Sequence, residues 1–236
     1  MKAVFSLALT ATMLLSTTTA LAQAEMSEII VTAQRREADD FDINRPAVGL
    51  RRTADFAVQE VTITGDTRDP EKRASEIYAM LASAIEAAPK AGVALAFGET
   101  TIQAVTLKNY RDLSLARDNR PDSQKIVFLV KAPLQSGGDA RGAQGRINTF
   151  VKSVQPAGRA LMETTGDLSL SIVGPDQYRP AIADIVAADA KTMAAKLGPD
   201  YGVEIEGLNR PVEWARAGLS EVLLYIPYKL TIVPKR

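Results

Sequence analysis

The sequence contains no cysteine and no histidine. Without cysteine there is no disulfide, thiolate nucleophile, zinc ribbon or iron–sulfur cluster. Without histidine there is no Ser-His-Asp or Cys-His catalysis, no imidazole proton relay and no His-ligated zinc. An excess of either charge is also lacking: 28 Lys+Arg balance 28 Asp+Glu, which leaves no electrostatic footprint for nucleic acid. No Gly-x-Ser-x-Gly elbow, Walker A loop, His-Glu-x-x-His or EF-hand pattern occurs. Beyond residue 22 no uncharged apolar run approaches the roughly 20 residues that span a bilayer. The reading therefore assigns no catalytic residue, no cofactor, no metal, no nucleic-acid partner and no integral membrane segment after cleavage.

What is present suits a packed core: 46% of the 236 residues are apolar and 24% are charged. Met1-Lys2, a mostly apolar run from Ala3 to Leu15, and the triplet Ala20-Leu21-Ala22 match a secretory signal peptide. Cleavage after Ala22 would start the mature chain at Gln23, and no Cys follows to carry a lipid. The expected location is the periplasm.

Close to that site, Glu28-Ile29-Ile30-Val31-Thr32-Ala33-Gln34-Arg35-Arg36 resembles the TonB box of TonB-dependent outer-membrane receptors. The resemblance implies an extended segment, Glu28 to Gln34, that adds to a strand of a TonB-type transducer or engages an outer-membrane receptor. The same residues also read as an ordinary β-prone strand, because Ile, Val and Thr favour strands. The remaining length is too short for a receptor plug and barrel. Residues 35–56 are densely charged without a clear period, so residues 23–55 are expected to form an extended or flexible arm.

From Phe56 the pattern sharpens. Phe56 to Thr64 reads as a half-buried strand with a bulge. Asp69-Pro70-Glu71 opens a helix whose apolar face is Ile77, Met80, Leu81, Ala84, Ile85 and Ala88, ended by Pro89 and Gly92. Thr100–Leu107 and Gln124–Ala132 read as strands joined by a long polar connection. Gly137, Gly138, Gly142 and Gly145 suggest a mobile loop ahead of a helix marked by Ile147, Phe150, Val151 and Val154. Gly166–Val173 alternates as a strand. Tyr178, Ile182, Ile185, Val186, Ala190, Met193 and Leu197 mark the longest helix, with Gly198 closing it. Tyr201–Ile205 and one long run, Glu221–Val233, finish as strands. Adjacent strand pairs between helices predict an α+β fold with a mostly antiparallel sheet and packed helices.

That order resembles the SIMPL domain family (DUF541), from about Ala57 to Val233. Val61-Thr-Ile-Thr-Gly65 is similar to the family's opening strand, and Ile147–Gly158 followed by Leu168–Val173 to a short helix and the strand before the last helix. The Ala-, Asp- and Lys-rich Ala181–Gly198 resembles the family's last helix. The connection around Tyr110–Asp122 and the insertion at Asn209–Gly218 depart from the pattern. The resemblance implies a SIMPL-like domain over residues 56–236. It also implies a periplasmic, often oligomeric, non-enzymatic protein linked to envelope or oxidative stress.

Other chemistry-bearing residues have ordinary readings. Asp39-Asp40 read as a solvated charge run, and Arg35-Arg36 and Arg51-Arg52 lack the aromatic neighbours of a nucleic-acid site. Asp189 and Lys196 lie near the apolar stripe of the longest helix, so a buried Asp189 would need a partner. Trp214, the only Trp, reads as buried under the last strand or as a partner anchor. The long apolar last strand offers an edge for a homo-oligomer.

Overall fold

The computed structural model describes residues 28–31, 46–99, 101–135 and 138–235. In chain order the elements are β1 (Glu28–Val31), β2 (Leu50–Thr53), β3 (Phe56–Gly65), α1 (Pro70–Ala87), β4 (Ala94–Phe97), β5 (Thr101–Ala104), β6 (Ala116–Arg117) and β7 (Gln124–Pro133). They continue with α2 (Ala140–Ser153), β8 (Leu161–Val173), α3 (Arg179–Leu197), β9 (Tyr201–Glu206), β10 (Glu213–Arg216), β11 (Glu221–Tyr225) and β12 (Lys229–Pro234). Strand pairing is antiparallel throughout, as the α+β reading expects.

Six strands close on themselves in the order β3, β8, β1, β5, β4, β7 and back to β3. Closure removes the unpaired edges that an open sheet of this size would present. Two helices cover the outside of β3 and β7. The Asp69 carboxylate accepts the Lys72 backbone N–H at 2.7 Å and Pro70 occupies the first turn, so α1 starts where its orphan donors are satisfied. Its buried face is Arg73, Ile77, Met80, Leu81 and Ala84. Asp139 caps α2 in the same way, accepting from the Arg141 N–H at 2.9 Å. Ile77, Leu81, Ile147 and Phe150 pack on Val61, Ile63, Ile126, Phe128 and Val130, all essentially without solvent contact. Each such side chain contributes about 1.5–3 kcal/mol by leaving water.

A second core lies on the other side of the barrel. Ile29, Val31, Leu170 and Ile172 face Ile182 and Val186 of α3, together with Val222, Leu224 and Ile226. Around it sit a three-stranded sheet, β10-β11-β2, and a separate β12-β9 pair.

Several expectations change here. Residues 23–55 include two strands, β1 in the barrel and β2 on β11, because their apolar residues complete the second core. The run Glu221–Val233 is not one strand. It breaks at Ile226-Pro227-Tyr228, and its halves join different sheets. Proline lacks the N–H that a continuous central ladder would need. Gly142 and Gly145 belong to α2, on its exposed side, once the Asp139 cap starts the helix early. The strand expected over Thr100–Leu107 shortens to β5, and β4, which alternation alone did not reveal, pairs with both β5 and β7. Met193 and Leu197 are exposed, while Ala190 and Ala194 carry the buried stripe of α3.

Candidate functional site

In an antiparallel pair, directly opposed residues point to the same face. The registers Glu28↔Ile102, Ile30↔Ser171, Phe56↔Ser171, Val58↔Ser169, Val58↔Lys131 and Ala96↔Leu129 therefore place these side chains together inside the barrel. At the inner level, Glu28 accepts a hydrogen bond from the Ser171 hydroxyl at 2.6 Å and forms an ion pair with Lys131. Lys131 also lies over the Phe56 ring, 4.2 Å from its centroid. Ser171 is fully buried, and both charged side chains are nearly so. Both oxygens of one carboxylate are thus satisfied by a hydroxyl and an ammonium, the condition under which a buried charge pair is tolerated. The trio stitches β1, β8 and β7 together.

One inward position further along the same strands, the filling stops. Ile30, Val58, Leu129 and Ser169 line a half-open pocket of about 390 Å³ at the barrel mouth. Its rim is Glu60, Gly98, Glu99, Gly166 and Asp167. Two backbone devices shape that rim. Gly98 has φ +124°, and a Cβ there would come within 2.2 Å of the Thr101 carbonyl oxygen, so the β4–β5 turn is closed by a residue without a side chain. Gly166, at φ +66°, sits in a bulge of β8 opposite Gln59, where the register shifts between Val58 and Glu60. The Gln59 amide donates to the carbonyls of Thr165 and Gly166 at 2.8 Å each and holds the bulge open.

Beyond the mouth, β3, β7 and β8 run on with one face uncovered, and a second, polar depression of about 410 Å³ ends there. The Arg159 guanidinium donates to both oxygens of Asp66, at 2.6 and 3.0 Å, and lowers its carboxyl pKa below the usual range. Glu76 is lowered mainly by the Thr67 hydroxyl at 2.5 Å, and Asp118 mainly by the Asn119 backbone N–H. Buried Arg73 donates to Gln124 and to the Thr67 and Asp122 carbonyls at 2.8–3.1 Å. These groups are consumed by one another and read as a clasp that fixes loops.

Of the sequence-level candidates, Glu28, Ile29, Ile30 and Val31 form β1, with Glu28 and Ile30 inward and Ile29 and Val31 in the second core. Both edges of β1 are paired, to β5 and β8. Thr32, Ala33 and Gln34 lie outside the described residues, as do Ala22, Gln23, Arg35-Arg36 and Asp39-Asp40. Asp189 is half-buried and, after burial itself, helps raise the Tyr228 phenol pKa. Lys196 is exposed. Arg52 stacks 4.4 Å over the Tyr178 ring and pairs with Asp55 at 2.5 Å. Trp214 is half-buried against the second core.

The mouth itself was missed by sequence reading. Its residues come from five separated stretches, and only the Gly98 and Gly166 turns left a local signal. Among the described residues no three carboxylates gather as a metal site, and no helix is long and apolar enough to cross a membrane. No family model, curated protein or solved structure matches the chain.

Proposed function

We propose that the chain is an exported, periplasmic SIMPL-type protein that acts by binding, without catalysis, and that the barrel mouth is its binding site. One observation carries the reading. A closed barrel has its inner level filled by Glu28, Lys131, Ser171 and Phe56, while the next level is left as a pocket of about 390 Å³. Pockets of this size and mixed lining at barrel mouths suit small ligands. Three helices against antiparallel strands support the SIMPL-type reading at the level of architecture. Self-assembly belongs to the proposal as well: β9 and β12 pair only with each other among the described residues, and Met193, Leu197 and Tyr201 stand exposed beside them.

The direct test is methyl NMR of the purified protein titrated with 2-phenylethanol, a neutral apolar probe. Shifts confined to the methyls of Ile30, Val58 and Leu129, with Ile126 on the opposite face silent, are the expected result. A titration to tens of millimolar that moves none of the three inward methyls overturns the binding site.

The transport reading, docking of a TonB-type transducer through residues 28–34, carries an added requirement. Strand addition needs a free edge, so β1 would first have to leave the barrel and break the Glu28 contacts. No observation favours it over the pocket.

A further inference from the structure

The charge around the pocket narrows its ligand. Among the described residues lining it, three are carboxylates and none is Lys or Arg. Glu99 and Asp167 are exposed and make no hydrogen bond or ion pair with described residues, while Glu60 accepts only the Thr165 hydroxyl, at 2.9 Å. The nearest inward cation, Lys131, is already neutralised by Glu28 one level below. Aliphatic walls thus lead up to a rim of uncompensated negative charge.

Resting on the pocket reading above, we propose that the barrel mouth takes a small amphiphilic cation, with an apolar body seated on Ile30, Val58 and Leu129 and a protonated amine at the rim. A bare divalent cation fits poorly, because the three carboxylates do not gather around one point. An anion would meet three like charges. A neutral ligand would use the walls and leave the rim idle. Glu60 enters from β3, Glu99 from the β4–β5 turn held by Gly98, and Asp167 from the β8 bulge held by Gln59. All three are therefore carried by constrained backbone, which pre-orders the field and lowers the ordering cost of binding.

The test compares three probes with one apolar body: 2-phenylethylammonium, 2-phenylethanol and 3-phenylpropanoate, titrated against the purified protein by methyl NMR. The expected result is at least tenfold tighter binding of the ammonium than of either other probe, at the Ile30, Val58 and Leu129 methyls. Raising the salt concentration should shrink that preference, since exposed charges are screened. In the Glu99→Gln/Asp167→Asn variant, which leaves only Glu60 at the rim, the ammonium's advantage over the alcohol should shrink several-fold, with the melting temperature unchanged because neither side chain has a described partner. Equal binding of all three probes overturns the cation assignment and leaves the pocket standing. A preference undiminished in the double variant also overturns it. Binding by none of the three overturns the pocket and the cation together.

Discussion

Helices α1 and α3 are of nearly equal length, 18 and 19 residues, yet they are built on different principles. A side-chain cap starts α1, a proline opens its first turn, and its large apolar residues lie on the continuous β3–β7 face. No side-chain cap starts α3, its buried stripe narrows from Ile182 and Val186 to Ala190 and Ala194, and beyond that it meets the two-stranded β9–β12 sheet, whose apolar residues are at best half-buried. A two-stranded sheet is marginal by itself. The contrast teaches that the α1 side of the molecule is self-sufficient, while the far end of the α3 side is held by few apolar contacts and is the surface on which a second copy would gain most.

The largest expected effect tests that contrast directly. Phe128→Ala, in the first core, should cost about 3–5 kcal/mol, and Leu230→Ala, on the half-buried β9–β12 pair, clearly less, about 1 kcal/mol. Urea denaturation of the two variants measures both. Equal losses would erase the distinction between the two sides.

Next in size is the barrel's inner level, which joins the two regions. Glu28→Gln removes the charge that faces Lys131 and should cost about 3 kcal/mol, the low end for a broken buried pair because both side chains keep slight exposure. Replacing both partners, Glu28→Leu with Lys131→Met, should recover most of the loss. A double variant as unstable as the single one would mean that β1 is held by something other than this pair.

The smallest effect concerns the helix starts. Asp69→Ala should lose about 1 kcal/mol, since it frees the Lys72 N–H, whereas Tyr178→Ala at the start of α3 forfeits no capping bond. Comparing the helical signal and melting temperature of Asp69→Ala with the unaltered protein settles whether that cap is worth its expected amount.

How much of this was legible in advance follows from the range of each interaction. The α1 start was readable because Asp69, Pro70 and Glu71 act within one turn. The strand β3 was readable from its β-prone apolar residues, but the bulge expected within it lies in β8, so that Val58 faces the pocket while Val61 and Ile63 face the helices. β4 was not, since its four residues, Ala94 to Phe97, gain strand geometry only by pairing with β5 and β7. The exposed half of α3 was not either: Met193 and Leu197 keep helical spacing with the stripe, but among the described residues the sheet beside them, β9–β12, has two strands and leaves them exposed.

The sequence alone determined the excluded chemistries, the expected export signal, the antiparallel α+β class and the start of α1. Those depend on composition, on caps that close within three residues, and on periodicities of two or 3.6. Tertiary structure alone decided that Glu28–Val31 is a wall of a barrel, that Glu28 meets Ser171 across 143 positions of sequence, and that Glu60, Glu99 and Asp167 ring one pocket. The reason is physical: inward and outward faces of a strand are fixed by its partners' register, and a closed barrel sets that register through pairings between segments whose local sequences carry no record of one another.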